Sequence, residues 1–393
     1  MKTFQTPILV LLFLASLACS AAFSSETAPY RGRLDLDGTW NFATDPDGTG
    51  EANRWFDASV ALPAELPEGY APKEPGKIQV PGIWDAQGYG VENDKVKHNF
   101  VGKGWYKRTV SVPKNWEKDD SIFLVLQGIS RYAKVWIDGN LVGPEAIGCI
   151  GSHEWNVSQF LTPGKEATVA ICVDSAQRWD VDPLLGAASL NDYLEIKWGG
   201  LWGHVYLESR PKTRLDSLYL RTKLWYDDKK NVTRAVCQVD ATVLDENKTP
   251  DFKGTLRLQV FDSNSNCVND KLEDVNLDLS SGQADVSAAV QIPNPKLWTP
   301  DSPYLYRVRA TLVRSQRVDA LESTYGAREI KFDGNRILLN GKPFFLRGYG
   351  DDHIYPIEFS MPTDINMYRE RLKIIKSFGF NHCRHHSCIL PHE

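Results

Sequence analysis

The chain has 393 residues, of which 42% are hydrophobic and 24% are charged, so it is long enough for roughly two or three globular domains. Its formal net charge of -5 and the lack of any basic block argue against nucleic acid as a partner. Aromatic residues make up 11% of the chain, and we expect most tryptophans to pack in cores, with sugar stacking as the functional alternative for any single one.

The amino terminus has the pattern of an export signal. Lys2 is followed by an almost continuous apolar run at 8–17 and then by small residues through Ala22. This run is too short for a permanent membrane span, so we predict a cleaved signal peptide at 1–22 and an exported protein, periplasmic or secreted. Cys19 suggests a lipid anchor, but Ser16 stands where a larger aliphatic residue is usual, and this argues against anchoring.

The cysteines after Cys19 are scattered and do not predict a disulfide framework, although export would permit one. Cys172 and Cys237 alternate with apolar residues, which is typical of small buried side chains in strands. Triplets that fit N-glycosylation, whose use depends on the host, begin at Asn156, Asn231 and Asn247.

Residues 30–210 form the first predicted domain. Short apolar or alternating segments recur along it, and Asp138-Gly139 predicts a tight hairpin. Because no convincing helix interrupts these segments, we predict an all-β sandwich of the jelly-roll type. Two long connections, 84–103 and 176–198, are rich in Trp, Tyr, Asp and Asn, and long loops of this kind are often functional.

Residues 211–327 form the second predicted domain. Apolar residues alternate with polar ones at 237–243, 256–260 and 286–292, as in strands with one buried face. Roughly seven strands at this spacing fit an immunoglobulin-like β-sandwich. None of its residues carries obvious chemistry, so we interpret it as a spacer.

The last segment, 328–393, has a different pattern. Asn340-Gly341 between apolar runs predicts a hairpin. An apolar strand is predicted at 344–346, and it runs into a polar cluster at 347–353, where the chain should leave a sheet.

A helix is predicted after Pro362. Thr363 or Asp364 can cap its start, and Gly379 stands where a left-handed residue would end it. Apolar spacing predicts a buried face formed by Ile365, Tyr368, Leu372 and Ile375. A second strand then ends in polar residues at 384–386. Strand, helix and strand, with polar groups at the strand ends, is how a parallel (β/α)8 TIM barrel begins.

This order of domains, in a mainly β multidomain chain, resembles the glycoside hydrolases of family 2, which include β-galactosidases, β-glucuronidases and β-mannosidases. Short motifs carry the resemblance. In chain order they are Leu36-Asp37-Gly38-Thr39-Trp40, Val80-Pro81-Gly82-Ile83-Trp84, Gly104-Trp105-Tyr106, Trp136-Ile137-Asp138-Gly139, Gly199-Gly200-Leu201-Trp202, Pro295-Lys296-Leu297-Trp298, Pro303-Tyr304-Leu305-Tyr306, Asn340-Gly341-Lys342-Pro343, Arg347-Gly348 and Gly379-Phe380-Asn381 with Arg384.

The resemblance implies a galactose-binding-like jelly roll and an exo-acting, retaining hydrolase of terminal β-linked sugars that works with two glutamates. Those glutamates belong after the fourth and at the seventh barrel strand, and a full barrel takes about 250 residues. We therefore expect them beyond residue 393, in which case this chain is an amino-terminal portion that is inactive alone. Glu358, Glu370 and Glu393 are not substitutes. Glu370 is predicted on the solvated face of the helix, and Glu358 in a loop without a partner carboxylate.

The resemblance also assigns residues to the rim of the sugar pocket. Arg384 occupies the arginine position after barrel strand two, where a guanidinium can orient the nucleophile. Asp351, Asp352 and His353 follow strand one and can contact the sugar, against the alternative of a solvated loop. Asp180 matches a sandwich loop that reaches the barrel site in β-galactosidases. No cofactor and no metal are expected, and the partner is a glycan or oligosaccharide substrate.

The chain departs from the family pattern after strand one. An Asn, a basic residue, a His and an acid usually follow the Arg-Gly pair, whereas Gly350-Asp351-Asp352-His353 stands here. The motifs therefore do not determine which sugar is bound, and a β-galactoside-like substrate is the first expectation.

A zinc site is one alternative for the end of the chain. Histidines and cysteines are concentrated in 382–392. However, a zinc site usually draws ligands from a second segment, and strand alternation would place His385 and His386 on opposite faces.

A non-catalytic, secreted carbohydrate-binding protein is the other alternative. It would explain the Trp-rich loops and the absence of the two glutamates, but such a protein does not need the strand-helix-strand tail.

Overall fold

The computed structural model describes residues 31–92, 98–149, 151–181, 199–250, 253–271, 273–313, 319–351, 355 and 362–385. The predicted signal peptide and Cys19 lie outside these residues. The chain forms two compact units, one made of 31–212 with 345–393 and the other of 213–344. No helix among the described residues is long and apolar enough to cross a membrane.

The first unit is built on an antiparallel β-sandwich. Its strands are β1 (Gly32–Asp35), β2 (Gly38–Asp45), β3 (Lys77–Val80), β4 (Gly82–Ile83), β5 (Val91–Glu92), β6 (His98–Asn99), β7 (Lys103–Ser111), β8 (Ser121–Leu126), β9 (Ile129–Ser130), β10 (Tyr132–Ile137), β11 (Asn140–Ile147), β12 (His153–Asn156), β13 (Glu166–Asp174), β14 (Gly200–Leu201) and β15 (Val205–Arg210). The larger sheets have the orders β1-β15-β8-β12 and β11-β10-β13-β7-β2-β3. The predicted all-β sandwich is confirmed.

Aromatic side chains fill the interior of this sandwich. Phe42 lies with its ring centroid 4.8 Å from that of Tyr106 and 6.0 Å from that of Trp84. Trp40 packs edge-on against Tyr106, and all of these side chains are buried. The first family motifs therefore supply core residues.

A second aromatic cluster covers the outer face of the six-stranded sheet. The ring of Trp136 stacks on Phe56 at 5.3 Å and on Trp105 at 5.2 Å between centroids. Asp45 accepts a hydrogen bond from Nε1 of Trp105 at 3.1 Å. These tryptophans serve packing, as predicted for most of them.

The second unit contains an immunoglobulin-like sandwich. Its strands are β16 (Thr213–Tyr226), β17 (Val232–Asp245), β18 (Lys253–Phe261), β19 (Glu273–Asp278), β20 (Gln283–Pro293), β21 (Tyr306–Val313) and β22 (Asp319–Tyr325). They form sheets of order β16-β17-β20 and β19-β18-β21-β22. The alternation in β17 reaches the core, because Cys237, Val239, Ala241 and Val243 are buried while their neighbours are partly exposed.

The predicted Asn-Gly hairpin is present in the second unit. β23 (Ile330–Asp333), β24 (Arg336–Leu339) and β25 (Lys342–Pro343) form a small antiparallel sheet, and Asn340 and Gly341 have φ of +52° and +75° at the turn. The Asn340 side chain accepts from the Glu329 amide and donates to the Trp298 carbonyl, both at 3.0 Å. These bonds join the hairpin to the sandwich within the second unit.

The strand-helix-strand segment belongs to the first unit. β26 (Gly348–Asp351) and β27 (His382–His385) pair in parallel, and α1 (Ile365–Ser377) lies between them in sequence. The predicted apolar strand at 344–346 is not formed, and the strand runs instead through the polar residues that were expected to leave the sheet. Its entry is fixed because Asn381 accepts from the Arg347 amide at 2.8 Å and donates to the Phe345 carbonyl at 3.0 Å.

Helix α1 begins and ends as predicted, but its buried face differs. Asp364 caps its start by accepting from the Asn366 amide at 2.9 Å, and Gly379 has a φ of +84° after its end. Ile365 and Leu372, expected inside, are 40% and 49% exposed. The half-buried positions of the helix are Tyr368, Arg371 and Ile375.

Candidate functional site

The carboxyl ends of β26 and β27 bring the predicted rim residues to one edge of the parallel pair. In the register, Asp351 lies opposite His385, and Gly350 lies opposite Arg384. Carboxyl ends of parallel strands are where α/β folds usually place their sites. Asp352 and His353 lie outside the described residues.

Asp351 faces the helix and not the open side of the strand pair. Its carboxylate, only 5% exposed, forms an ion pair with the guanidinium of Arg371 at 3.0 Å. Arg371 also lies over the ring of Tyr355, 5.2 Å from its centroid. Asp351 thus has a clear structural role, and its contact with a sugar stays a prediction.

Arg384 projects from the opposite face of the pair. Along β27 the side chains of His382 and Arg384 are exposed, whereas those of Cys383 and His385 are partly buried. This alternation separates Arg384 from Asp351, so the structure does not bring the two predicted residues together. Arg384 instead lies on the exposed face of the strand pair, opposite the face that contacts α1.

Tyr349, Cys383 and His385 share the helix-facing side with Asp351. The Cys383 Sγ lies 3.8 Å from Nδ1 of His385. Burial first, and then the hydrogen bond with Cys383, raise the pKa of the Tyr349 hydroxyl. This environment opposes ionisation of the Tyr349 hydroxyl.

One group of side chains among the described residues has the spacing of a metal site. Ligand atoms of Asp351, Cys383 and His385 lie within 4.8 Å of one another, so β26 supplies the second segment that the sequence pattern lacked. However, Arg371 already pairs with the Asp351 carboxylate and would oppose a cation there. The absence of a metal remains our prediction.

Tyr355 attaches this region to the sandwich, and the sequence patterns did not single it out. It is 4% exposed and packs with Ile83 and Trp202 of the sandwich and with Tyr368 of α1. The Tyr355 and Tyr368 rings meet edge-on with centroids 6.5 Å apart. Tyr355 stands between Ile354 and Pro356 in the sequence, and no pattern along the chain indicates its partners in the sandwich and in α1.

Asp180 is exposed and follows a firmly held residue. Arg178 lies 3.5 Å above the centroid of Tyr132 and pairs with Glu145 at 3.0 Å. Between them Trp179 is 57% exposed. The base of this loop is therefore anchored, while the role of Asp180 at a sugar stays a prediction, and 182–198 lies outside the described residues.

The other long connection is held by a buried carboxyl. Asp85 accepts from the Phe100 amide at 3.0 Å through Oδ1 and from the Gly199 amide at 2.9 Å through Oδ2. Burial raises the pKa of Asp85 well above its usual value, although the backbone donors oppose this shift. Asp85 follows the motif that ends at Trp84 and bonds to the motif that begins at Gly199, inside the sandwich. This part of the loop therefore has a structural role.

Two family models match the chain. The model described as glycosyl hydrolases family 2, sugar binding domain, matches residues 34–211, and the model described as glycosyl hydrolases family 2 matches residues 213–328. Together they span most of the chain, in the order of its two sandwiches. The chain therefore belongs to glycoside hydrolase family 2, as its motifs predicted.

Relatives of this chain include β-glucuronidases. The curated β-glucuronidase of Paenibacillus borealis is 24% identical over 322 residues, which are 80% of this chain and 48% of that protein. The Ruminococcus gnavus β-glucuronidase in complex with a C6-substituted uronic isofagomine has a TM-score of 0.71 at 19% identity, with coverage of 91% of this chain and 56% of that one. The β-D-glucuronidase of Dictyoglomus thermophilum has a TM-score of 0.66 at 21% identity, with coverage of 91% and 54%.

These structural likenesses establish the fold. The chain spans about half the length of the relatives that it matches.

Proposed function

We propose that this chain is the amino-terminal part of an exported, retaining exo-glycosidase that removes terminal β-linked glucuronic acid from glycans. The observation that carries the proposal is the match to both family 2 domain models in their order along the chain. The expected β-galactoside preference gives way to a β-glucuronide, because β-glucuronidase is the name of the curated relative and of the structural neighbours described above.

The described residues support positioning roles in this reaction. Retaining hydrolysis needs two carboxyl groups about 5–5.5 Å apart, one as nucleophile and one as acid/base, and we place both glutamates in sequence outside this chain. The exposed guanidinium of Arg384, at the end of β27, is suited to hydrogen-bond the nucleophile and keep it ionised. The ion pair between Asp351 and Arg371 holds β26 against α1 beneath that edge.

The coding sequence gives an inexpensive first test. If it continues past Glu393, we expect an Asn-Glu pair within roughly one hundred residues, near a fourth barrel strand. A reading frame that stops at that point would favour the carbohydrate-binding alternative.

A direct test uses nitrophenyl glycosides with the protein as it is encoded in full. We expect the β-glucuronide to be hydrolysed with a higher kcat/KM than the β-galactoside and β-mannoside. Uniform inactivity would contradict the hydrolase proposal, and a clear preference for the galactoside would contradict only the choice of sugar.

A further inference from the structure

A cleft of about 510 Å³ lies beside β3, one of the two edge strands of the six-stranded sheet. Loop 71–74, strand β3 and the short helix Asp85–Gln87 line it, together with Trp202 and the segment 362–363 before α1. All of these belong to the first compact unit. The volume lies within the range of roughly 300–1,000 Å³ that is usual for small-molecule sites.

The backbone edge of β3 is already occupied by side chains. The Gln79 amide donates to Oε1 of Gln87 at 2.7 Å, and Nε2 of Gln87 donates to the Gln79 carbonyl at 2.9 Å. The Tyr89 hydroxyl donates to the Lys77 carbonyl at 2.6 Å. An added strand therefore finds no free ladder at these positions, which makes the cleft suited to a small ligand and not to a peptide.

His98 lines the cleft and has one ring nitrogen that can accept a hydrogen bond. Its ring is 8% exposed, and Nδ1 lies 3.2 Å from the Gly90 carbonyl. Because a carbonyl oxygen only accepts, Nδ1 carries the proton of the neutral ring and Nε2 is an acceptor. Within the described part of the chain, Nε2 has no hydrogen-bond partner, so a ligand hydroxyl can donate to it.

The charged groups around the cleft favour an anion. Lys73, Lys77 and Glu74 line it, so two cations face one carboxylate. Nζ of Lys77 donates to Asn41 at 2.6 Å, which orients the ammonium and leaves its other N–H groups available. The apolar wall includes Ile83.

We infer that this cleft binds an acidic saccharide, with a ring hydroxyl donating to Nε2 of His98 and the carboxylate pairing with Lys77 and Lys73. Sugars combine hydroxyl donors with apolar ring faces, and a uronic acid adds the anion that the two lysines select. The choice of a uronic acid rests on the proposed function, whereas the cleft and its polar groups do not.

The test is ligand-observed saturation-transfer NMR with free glucuronate and with glucose as the neutral probe. We expect the protein to bind glucuronate about tenfold or more tightly than glucose, as one charge-assisted contact implies. Lys77→Ala should weaken glucuronate binding by about the same factor, with a further loss in the double variant with Lys73→Ala. Lys118→Ala removes an exposed lysine away from the cleft and should leave the affinity for both sugars unchanged.

His98→Asn keeps a donor for the Gly90 carbonyl and removes Nε2, so it should weaken binding of both sugars. Equal affinity for glucose and glucuronate, or wild-type affinity in the lysine variants, would overturn the inference. Binding does not require hydrolysis, so glucuronate binding with no glycosidase activity would contradict the proposed function and leave the cleft intact. Hydrolysis of β-glucuronides without lysine-dependent binding of glucuronate would support the proposed function and contradict the inference about the cleft.

Discussion

The carboxylate of Asp351 and the guanidinium of Arg371 form a 3.0 Å ion pair that joins the end of β26 to the middle of α1. It places a charged residue on the buried side of a helix whose apolar residues are largely exposed. The parallel pair and its helix are therefore held together by an ion pair, by the aromatic contact of Tyr355 with Tyr368 and by the Asn381 side chain.

Removing the cation of this pair should destabilise the first unit. Arg371→Met leaves the buried Asp351 carboxylate without its guanidinium, and we expect a loss of about 2 kcal/mol in the free energy of unfolding. Urea unfolding checks this. Lys373→Met is the matched control, since Lys373 and Glu370 form an exposed pair, and it should change stability by no more than about 0.5 kcal/mol. Equal losses in the free energy of unfolding for the two substitutions would show that the buried pair stabilises the fold no more than the exposed pair does.

Because Asp85 is buried, we expect the free energy of unfolding to depend on pH. Because burial raises the pKa of Asp85 in the folded state above the value of 3.8, the folded protein binds this proton more tightly than the unfolded chain. The stability that Asp85 contributes is then fully present below pH 3.8 and decreases as the pH rises toward the raised pKa.

The measurement compares unfolding free energies of the wild type and Asp85→Asn between pH 5 and 8. We expect the advantage of the wild type to shrink as the pH rises, with Asp47→Asn, an exposed carboxyl, as the control. An advantage that grows with pH would mean that the Phe100 and Gly199 amides keep the carboxylate ionised.

The Asn-Gly hairpin permits a paired glycine test. Gly341 has a φ of +75°, and a β-carbon there would lie 2.8 Å from Cε1 of Tyr226. Gly334 has a φ of +60° with open space around it. Gly341→Ala should therefore cost about 1–3 kcal/mol more than Gly334→Ala in thermal or urea unfolding. Similar losses would mean that the Tyr226 ring yields to the added methyl group.

Arg384 should act on the reaction and not on the fold. Arg384→Lys keeps the charge but loses the planar fork, and we expect kcat/KM of the protein as encoded in full to fall by about tenfold or more with unchanged unfolding. Arg369→Lys, on the exposed side of α1, serves as control. A wild-type kcat/KM for Arg384→Lys would remove Arg384 from the proposed site.

Local chemistry was enough to predict much of the fold. Asp364, Gly379 and Asn340-Gly341 occupy the cap and turn that their backbone preferences favour, and the strand alternation of the second sandwich reaches the core as expected. These features depend on neighbours in sequence, so patterns along the chain can reveal them.

Patterns along the sequence could not predict the contacts between distant segments. Strand β26 forms because β27 pairs with it and because Asn381 holds the residues just before it, not because of its own hydrophobicity. Arg371 lies on the half-buried side of α1 because it pairs with Asp351 and packs over the ring of Tyr355. For the candidate site, the strand-end position of Arg384 was predictable, whereas its separation from Asp351 follows from the pairing register.

Our central proposal is that the chain is part of a retaining hydrolase of β-glucuronides. The most direct measurement is intact-protein mass spectrometry of the protein as encoded in full, after incubation with a 2-deoxy-2-fluoro-glucuronyl fluoride that slows turnover of the covalent intermediate. The account predicts one glucuronyl group bound per chain, on a glutamate beyond residue 393, and no labelling by the galactosyl analogue. Labelling by the galactosyl analogue alone, or by neither, would contradict it.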